Sequence, residues 1–162
     1  MAQGTLALFD EFAESIGDGR IDLDTDTFKI AFVTLQVGGT PTIAKTDPVP
    51  TWGAGGTTNL ASSEVSAGGG YTAGGETLAN ITWGQTAGVA TFDNTADIVW
   101  TSAASGDPAT IKTAVIYSDT AANKDCVAFI DMTSDGTTAI SLLAGDITVA
   151  FGASGIFTVT NP

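Results

Sequence analysis

The run Asp22-Leu23-Asp24-Thr25-Asp26 comes nearest, by residue type and spacing, to a chemical site. Carboxylates two residues apart open a helix-loop-helix calcium loop, in which hard oxygen ligands surround the ion. Such a loop also needs glycine at its sixth position and glutamate at its twelfth. Thr27 and Val33 stand there instead, and the segment runs on into a strand pattern. These acids are expected at a strand entrance, facing solvent, and no metal or cofactor is expected. Nucleophilic catalysis is no better supplied. The chain has no histidine, which removes the commonest general base and the commonest metal ligand. Cys126 lies in the apolar run Cys126-Val127-Ala128-Phe129-Ile130 with no adjacent basic residue, the setting of an inert buried thiol. The 18 acids allow a paired-carboxylate glycosidase in principle. Most of them fall in turn-like or helix-flanking positions, such as Asp18, Asp47, Asp107, Asp119, Asp135 and Asp146. There an aspartate satisfies local backbone N–H groups. The glycine-rich stretches lead into Tyr, Thr or Glu rather than a capped apolar helix, so no phosphate or dinucleotide loop is present. The expectation is a protein that is not an enzyme.

Binding chemistry leaves more room. Trp52, Trp83 and Trp100 could stack on pyranose rings. Trp83 and Trp100 occupy alternating positions that suit a core, whereas Trp52, between Pro50 and Gly53, is freer. Asn80-Ile81-Thr82 has the form of a glycosylation acceptor. It falls in a strand pattern, and Met1-Ala2-Gln3-Gly4 has none of the features of a secretory leader, so the match reads as coincidence. The net charge of −13 and the scatter of Arg20, Lys29, Lys45, Lys112 and Lys124 argue against nucleic acid. They argue equally against an anionic membrane surface, and no apolar run is long enough to span a bilayer. Charged residues make up only 14 % of the chain, beside 20 glycines and much Thr, Ala and Ser. Such a surface loses little solvation when another protein covers it.

The positioning elements follow from periodicity. Residues 5–16 are expected to form an N-terminal helix, with Leu6, Phe9, Phe12, Ala13 and Ile16 on one arc and Gly17 as its left-handed cap. Thr27–Leu35 alternates Phe28, Ile30 and Phe32 against Lys29, Ala31 and Val33, as in a central strand. From 36 to 75 the periodicity stops. Pro41, Pro48, Pro50 and three glycine clusters predict a long loop or arm, yet it carries Trp52, Leu60, Val65 and Tyr71. Short strands are predicted next at 76–83, 89–93, 97–101, 110–117, 125–132, 140–143, 147–151 and 156–160, with Asp135-Gly136 as a tight hairpin turn. The fold class expected is mainly β. It is a single domain over 1–162, built as an antiparallel two-sheet sandwich of about eight strands, with one helix and one long Gly/Pro-rich excursion. Because the excursion's backbone is costly to order, Trp52, Leu60, Val65 and Tyr71, with Phe9 and Phe12 of the helix, are expected to meet an adjacent copy or another partner.

The order of segments carries a resemblance. Leu6-Ala7-Leu8-Phe9-Asp10-Glu11-Phe12 is followed by Asp24-Thr25-Asp26-Thr27-Phe28-Lys29-Ile30-Ala31-Phe32. Then come Ser63-Glu64-Val65, Gly70-Tyr71-Thr72-Ala73-Gly74-Gly75 and Leu78. Thr91-Phe92-Asp93, Ala114-Val115-Ile116-Tyr117-Ser118-Asp119-Thr120 and Gly145-Asp146-Ile147-Thr148-Val149 complete the set. This set resembles the small head decoration, or cement, proteins of tailed bacteriophages, over nearly the whole chain. The resemblance implies a β-rich homo-oligomer, with a trimer as its leading form. It would be made in a bacterial cytoplasm and seated on the exterior of the virion against the major capsid protein. It implies no catalytic residues. A carbohydrate-binding module of a fibre or cell surface, or a tail structural protein, is the alternative.

Overall fold

The strongest alternating run lies inside the largest sheet. A computed structural model describes residues 3–160. Its strands are β1 (Leu6–Leu8), β2 (Phe28–Val33), β3 (Gln36–Val37), β4 (Thr42–Ile43), β5 (Pro50–Thr51), β6 (Thr58–Asn59), β7 (Glu76–Thr77), β8 (Ile81–Thr86), β9 (Val89–Asn94), β10 (Ile98–Trp100), β11 (Thr113–Ser118), β12 (Cys126–Asp131), β13 (Ile147–Val149) and β14 (Phe157–Thr160). Among the described residues there is one α-helix, α1 (Phe12–Gly17), and two 3-10 turns, Leu60–Ser63 and Leu142–Ala144. The protein is mainly β, with several antiparallel sheets and, among the described residues, no closed barrel.

Five strands form an antiparallel sheet in the order β1-β12-β11-β2-β7. Every residue of β11 and β12 is buried, because both faces of this sheet are covered. Strand alternation sends Phe28, Ile30, Phe32, Ala114, Ile116 and Ile130 into one core. Ala31, Val33, Val115, Tyr117 and Phe129 enter the other. The register slips between Ile116↔Ala128 and Tyr117↔Cys126, so Val127 is the extra residue of a bulge. Val127 and Ala128 consequently share the first core.

The first core is closed by the three-stranded sheet β14-β9-β8 and the pair β10-β13. Phe28 meets Phe92 edge-on at 5.0 Å, and Phe32 meets Trp100 at 4.3 Å between ring centroids. The second core is closed by Phe9 and by the irregular segment after β2, through Leu35, Ile43, Trp52 and Leu60.

Several expectations are corrected. The N-terminal segment is not a helix over 5–16. Leu6-Ala7-Leu8 pairs with Ile130-Phe129-Ala128 instead, supplying the edge strand that β12 would otherwise lack. Leu6 and Leu8 pack on one core and Ala7 on the other, which is strand alternation. The helix is confined to Phe12–Gly17, Ser15 is buried in place of Ile16, and the left-handed residue after it is Gly19 rather than Gly17. The 76–83 strand divides into β7 and β8, since Leu78 turns inward and donates its N–H to Phe28 O at 2.9 Å. Ile140 makes an isolated bridge to Ile111, and a 3-10 turn follows where a strand was expected. Asp135-Gly136 is a turn, but it joins no hairpin. Segment 36–75 contains two parallel two-residue pairs, β3–β4 and β5–β6, and lies on its own chain. Trp52, Leu60, Val65 and Tyr71 retain only 6 %, 1 %, 3 % and 2 % exposure there. They cover this chain's cores, so the expectation that a neighbour buries them does not describe the folded chain. Phe9 and Phe12 are likewise buried, the first against Phe129 and the second against Phe157.

Candidate functional site

The polar side chains that could do chemistry are spent on holding loops. Asp22 Oδ1 accepts from the N–H groups of Asp24 and Thr25 at 3.0 and 3.3 Å. These bonds hold its carboxyl below the usual range. Asp26 Oδ2 accepts from Asp22 N at 3.1 Å and from the Ser118 hydroxyl at 2.8 Å, tying this turn to the end of β11. The carboxylates of Asp22 and Asp26 thus close a turn around the local backbone at the entrance to β2. No group of His, Cys, Asp and Glu among the described residues is arranged to hold a metal ion.

The excursion is fastened by two further carboxylates. Glu64 Oε1 accepts from the Tyr71 hydroxyl at 2.8 Å and from Gly74 N at 2.5 Å. Tyr71 Oη also accepts from Phe32 N at 3.0 Å, and its ring stacks on Phe32 at 5.5 Å. Burial, more than any neighbouring group, raises the Tyr71 phenol far above its ordinary range, so it stays a neutral donor. Tyr117 donates to Gly74 O at 2.8 Å and lies flat against Trp52, the rings 8° from parallel at 4.8 Å. Asp107 fastens the same part of the excursion to the loop after β10. It accepts from Gly70 N at 2.5 Å, the Ser102 hydroxyl at 3.1 Å and Ala103 N at 2.8 Å. The bond from Gly70 leads the causes that hold its carboxyl below the usual range. Glycine is required at Gly70, because a Cβ there would overlap the Thr101 carbonyl oxygen.

Arg20, the chain's single arginine, joins two elements. Its guanidinium reaches buried Asp125 at 3.0 Å and Glu11 at 3.2 Å, pinning the entry of α1 to the start of β12. Sequence reasoning named Asp107 as a turn acid without its reach to Gly70, and missed Glu64, Arg20 and Asp125 as organising residues. The one signal was the isolation of a lone guanidinium among 18 acids, a fork suited to carboxylates. Cys126 is fully buried, and burial pushes its thiol well above the usual range, so it is unreactive.

Two surface regions bear on binding. One is a groove of about 400 Å³ in which half-buried Trp83 meets Asp22, Asp24 and Ile16. Trp100 is buried against Phe32 and Trp52 against Tyr117, so of the three tryptophans Trp83 alone retains surface. Asn80 is exposed in the turn between β7 and β8, not in a strand. The second region is the outer half of the three-stranded sheet. Thr82, Gly84, Gln85 and Thr86 of β8 and Thr158, Val159 and Thr160 of β14 are exposed there. No charged side chain lies between Thr77 and Phe92 or between Ile147 and Pro162. This region offers hydroxyls, small apolar groups and backbone; it contains neither an acid–base pair nor a nucleophile with a base. No protein-family model, curated protein or solved structure matches this chain.

Proposed function

We propose that this chain is a non-enzymatic structural protein of a tailed bacteriophage virion, seated on the capsid exterior and stabilising it by contacts with the major capsid protein. The observation that carries the reading is the division of polar groups: the carboxylates of Asp22, Glu64, Asp107 and Asp125 hold the chain's own turns and elements, while the outer half of the sheet β14-β9-β8, free of charged side chains, faces solvent. A surface of this kind is suited to protein contact and has no catalytic equipment. The fold reading that accompanies it is a two-sheet sandwich. The five-stranded and three-stranded sheets supply its eight main strands, with Phe28–Phe92 among the contacts between them. Self-association belongs to the proposal, with a trimer as the form implied by the resemblance. Nucleic acid and membrane are not partners, in keeping with the net charge of −13. The test is immunogold labelling of virions carrying this chain, viewed in negative stain. Label on the head is expected; label confined to tails or fibres, or absent from particles, overturns the placement.

A second reading, a carbohydrate-binding module, is favoured by the Trp83 groove, where an indole face adjoins the carboxylates of Asp22 and Asp24. Titration with oligosaccharides would quench tryptophan fluorescence in the native chain and not in Trp83→Ala. A flat response in both removes this reading.

A further inference from the structure

The edges of the two larger sheets are treated unequally. Proteins blunt exposed edges with charge, proline, bulges or shortness, since a row of free N–H and C=O groups recruits other strands. In the five-stranded sheet, β7 is two residues long and carries Glu76. The small pair β5–β6 carries Pro50. The edge strands β8 and β14 carry neither charge nor proline, but Gly84 interrupts β8, whereas β14, Phe157-Thr158-Val159-Thr160, is unbroken. Its residues are all strong strand formers. It pairs with β9 on one side, and among the described residues no strand lies on its other side. Val159 is 54 % exposed, the largest value among the exposed large apolar residues.

We propose that β14 is a self-association edge: a second copy of this chain adds its own β14 antiparallel across a two-fold axis, extending β8-β9-β14 into a continuous six-stranded sheet. Main-chain hydrogen bonds supply the attraction in such strand addition. Charge selects the occupant. Two copies carrying −13 each repel over most of their surfaces, whereas the stretches that form this sheet contribute only Asp93, at the inner end of β9. Strand direction selects the symmetry. β14 and β8 both run antiparallel to β9 and so run parallel to each other. A head-to-tail ring joining β14 to a neighbour's β8 would therefore need the less stable parallel ladder, while a two-fold axis gives the antiparallel one. This rests on the self-association in the proposed function, puts a two-fold pair in place of the trimer that the resemblance implies, and stands or falls separately from capsid binding.

The test is sedimentation equilibrium of the full chain over a concentration series. Expected are a mass of two copies at tens of micromolar and tighter association as salt screens the residual repulsion. Val159→Glu places like charges at the contact and should weaken dimerisation about tenfold or more. Val99→Glu, which adds the same charge at a 51 % exposed valine of β10, should leave it unchanged. Should Val159→Glu fail to fold, hydrogen exchange on the native chain decides the matter, since amide protection that rises with concentration should be confined to 157–160. A single-copy mass throughout, equal effects of the two substitutions, or a three-copy assembly that protects β8 and β14 together would each overturn the proposal. None of these results bears on whether virions carry the label on their heads.

Discussion

The irregular excursion and the regular sheet β14-β9-β8 invert the usual association of regularity with burial. The excursion has almost no ladder of its own, yet it carries some of the best-buried side chains, including Leu60 and Tyr71. The three-stranded sheet has complete ladders, yet its outer half is exposed. A segment without ladders must satisfy its backbone elsewhere, and here Glu64 and Asp107 do so. It must also offset the entropy of ordering, and here Trp52 and Leu60 do so by burial. The three-stranded sheet satisfies its inner ladders internally and leaves an edge and a face free for other uses. Here the irregular excursion serves as structure, and the outer half of the three-stranded sheet is available for contact.

The largest expected effect would come from removing the excursion. Replacing Thr46–Gly69 with a short Gly-Ser linker takes away Trp52, Leu60 and Val65 and opens the second core. Loss of the cooperative thermal transition by circular dichroism is expected; a melting temperature near that of the native chain would break the comparison. Trp52→Ala removes the indole stacked on Tyr117 and should cost about 3–5 kcal/mol in denaturant unfolding. Tyr71→Phe leaves Glu64 and Phe32 N short of a partner and should cost about 1–3 kcal/mol. Acid sharpens the same contrast. The carboxyls of Asp22, Asp107 and Asp119 are held below their ordinary range by hydrogen bonds, foremost those from Asp24 N, Gly70 N and Lys124. Protonation therefore costs the folded chain more than the unfolded one. Stability should be full above the unfolded value of about 3.9 and fall as pH drops through the lower folded values. Hydrogen exchange across an acid series should show the 64–74 and 101–107 loops opening before β8–β9. The smallest effect lies in the sheet itself. Ala87 sits at φ 51° before Gly88 at φ 86° in the β8–β9 turn, a conformation that asparagine adopts more readily. Ala87→Asn should stabilise by less than about 1 kcal/mol, read as a small rise in melting temperature.

The β class, the central position of β2 and the buried β11 and β12 are legible in the sequence, because period-two alternation with apolar residues on both faces has few other solutions. The N-terminal strand is not legible. Leu6, Phe9 and Phe12 satisfy a helical arc as well as they satisfy a strand followed by a short helix, and only the unpaired edge of β12, which lies over a hundred residues away in sequence, decides between them. The excursion is legible as irregular but not as buried. Its apolar residues have no period, and what covers them is set by Tyr117 and Phe32 on distant strands. Of the candidate site, the departure of Asp22–Asp26 from the calcium-loop pattern at Thr27 and Val33 is read from sequence alone, while the local turn closed by the Asp22 and Asp26 carboxylates is seen only in the fold. The groove at Trp83 does not follow, because it joins 16–24 to β8 only through the fold.

The pairing of β2 with β11 has a consequence for biosynthesis. Val33 and Thr113 are partners about eighty positions apart, and Leu6 waits still longer for Ile130. A ribosome adding roughly 5–20 residues per second leaves Phe28, Ile30 and Phe32 without their β11 partner, the strand that covers their full length, for roughly 4–16 s. Throughout that interval the nascent chain presents a sticky β-segment to the cell. High-level expression should therefore be limited by chaperone supply during translation more than by the endurance of the finished molecule, and slowing elongation beyond codon 131 should do little to improve the soluble yield.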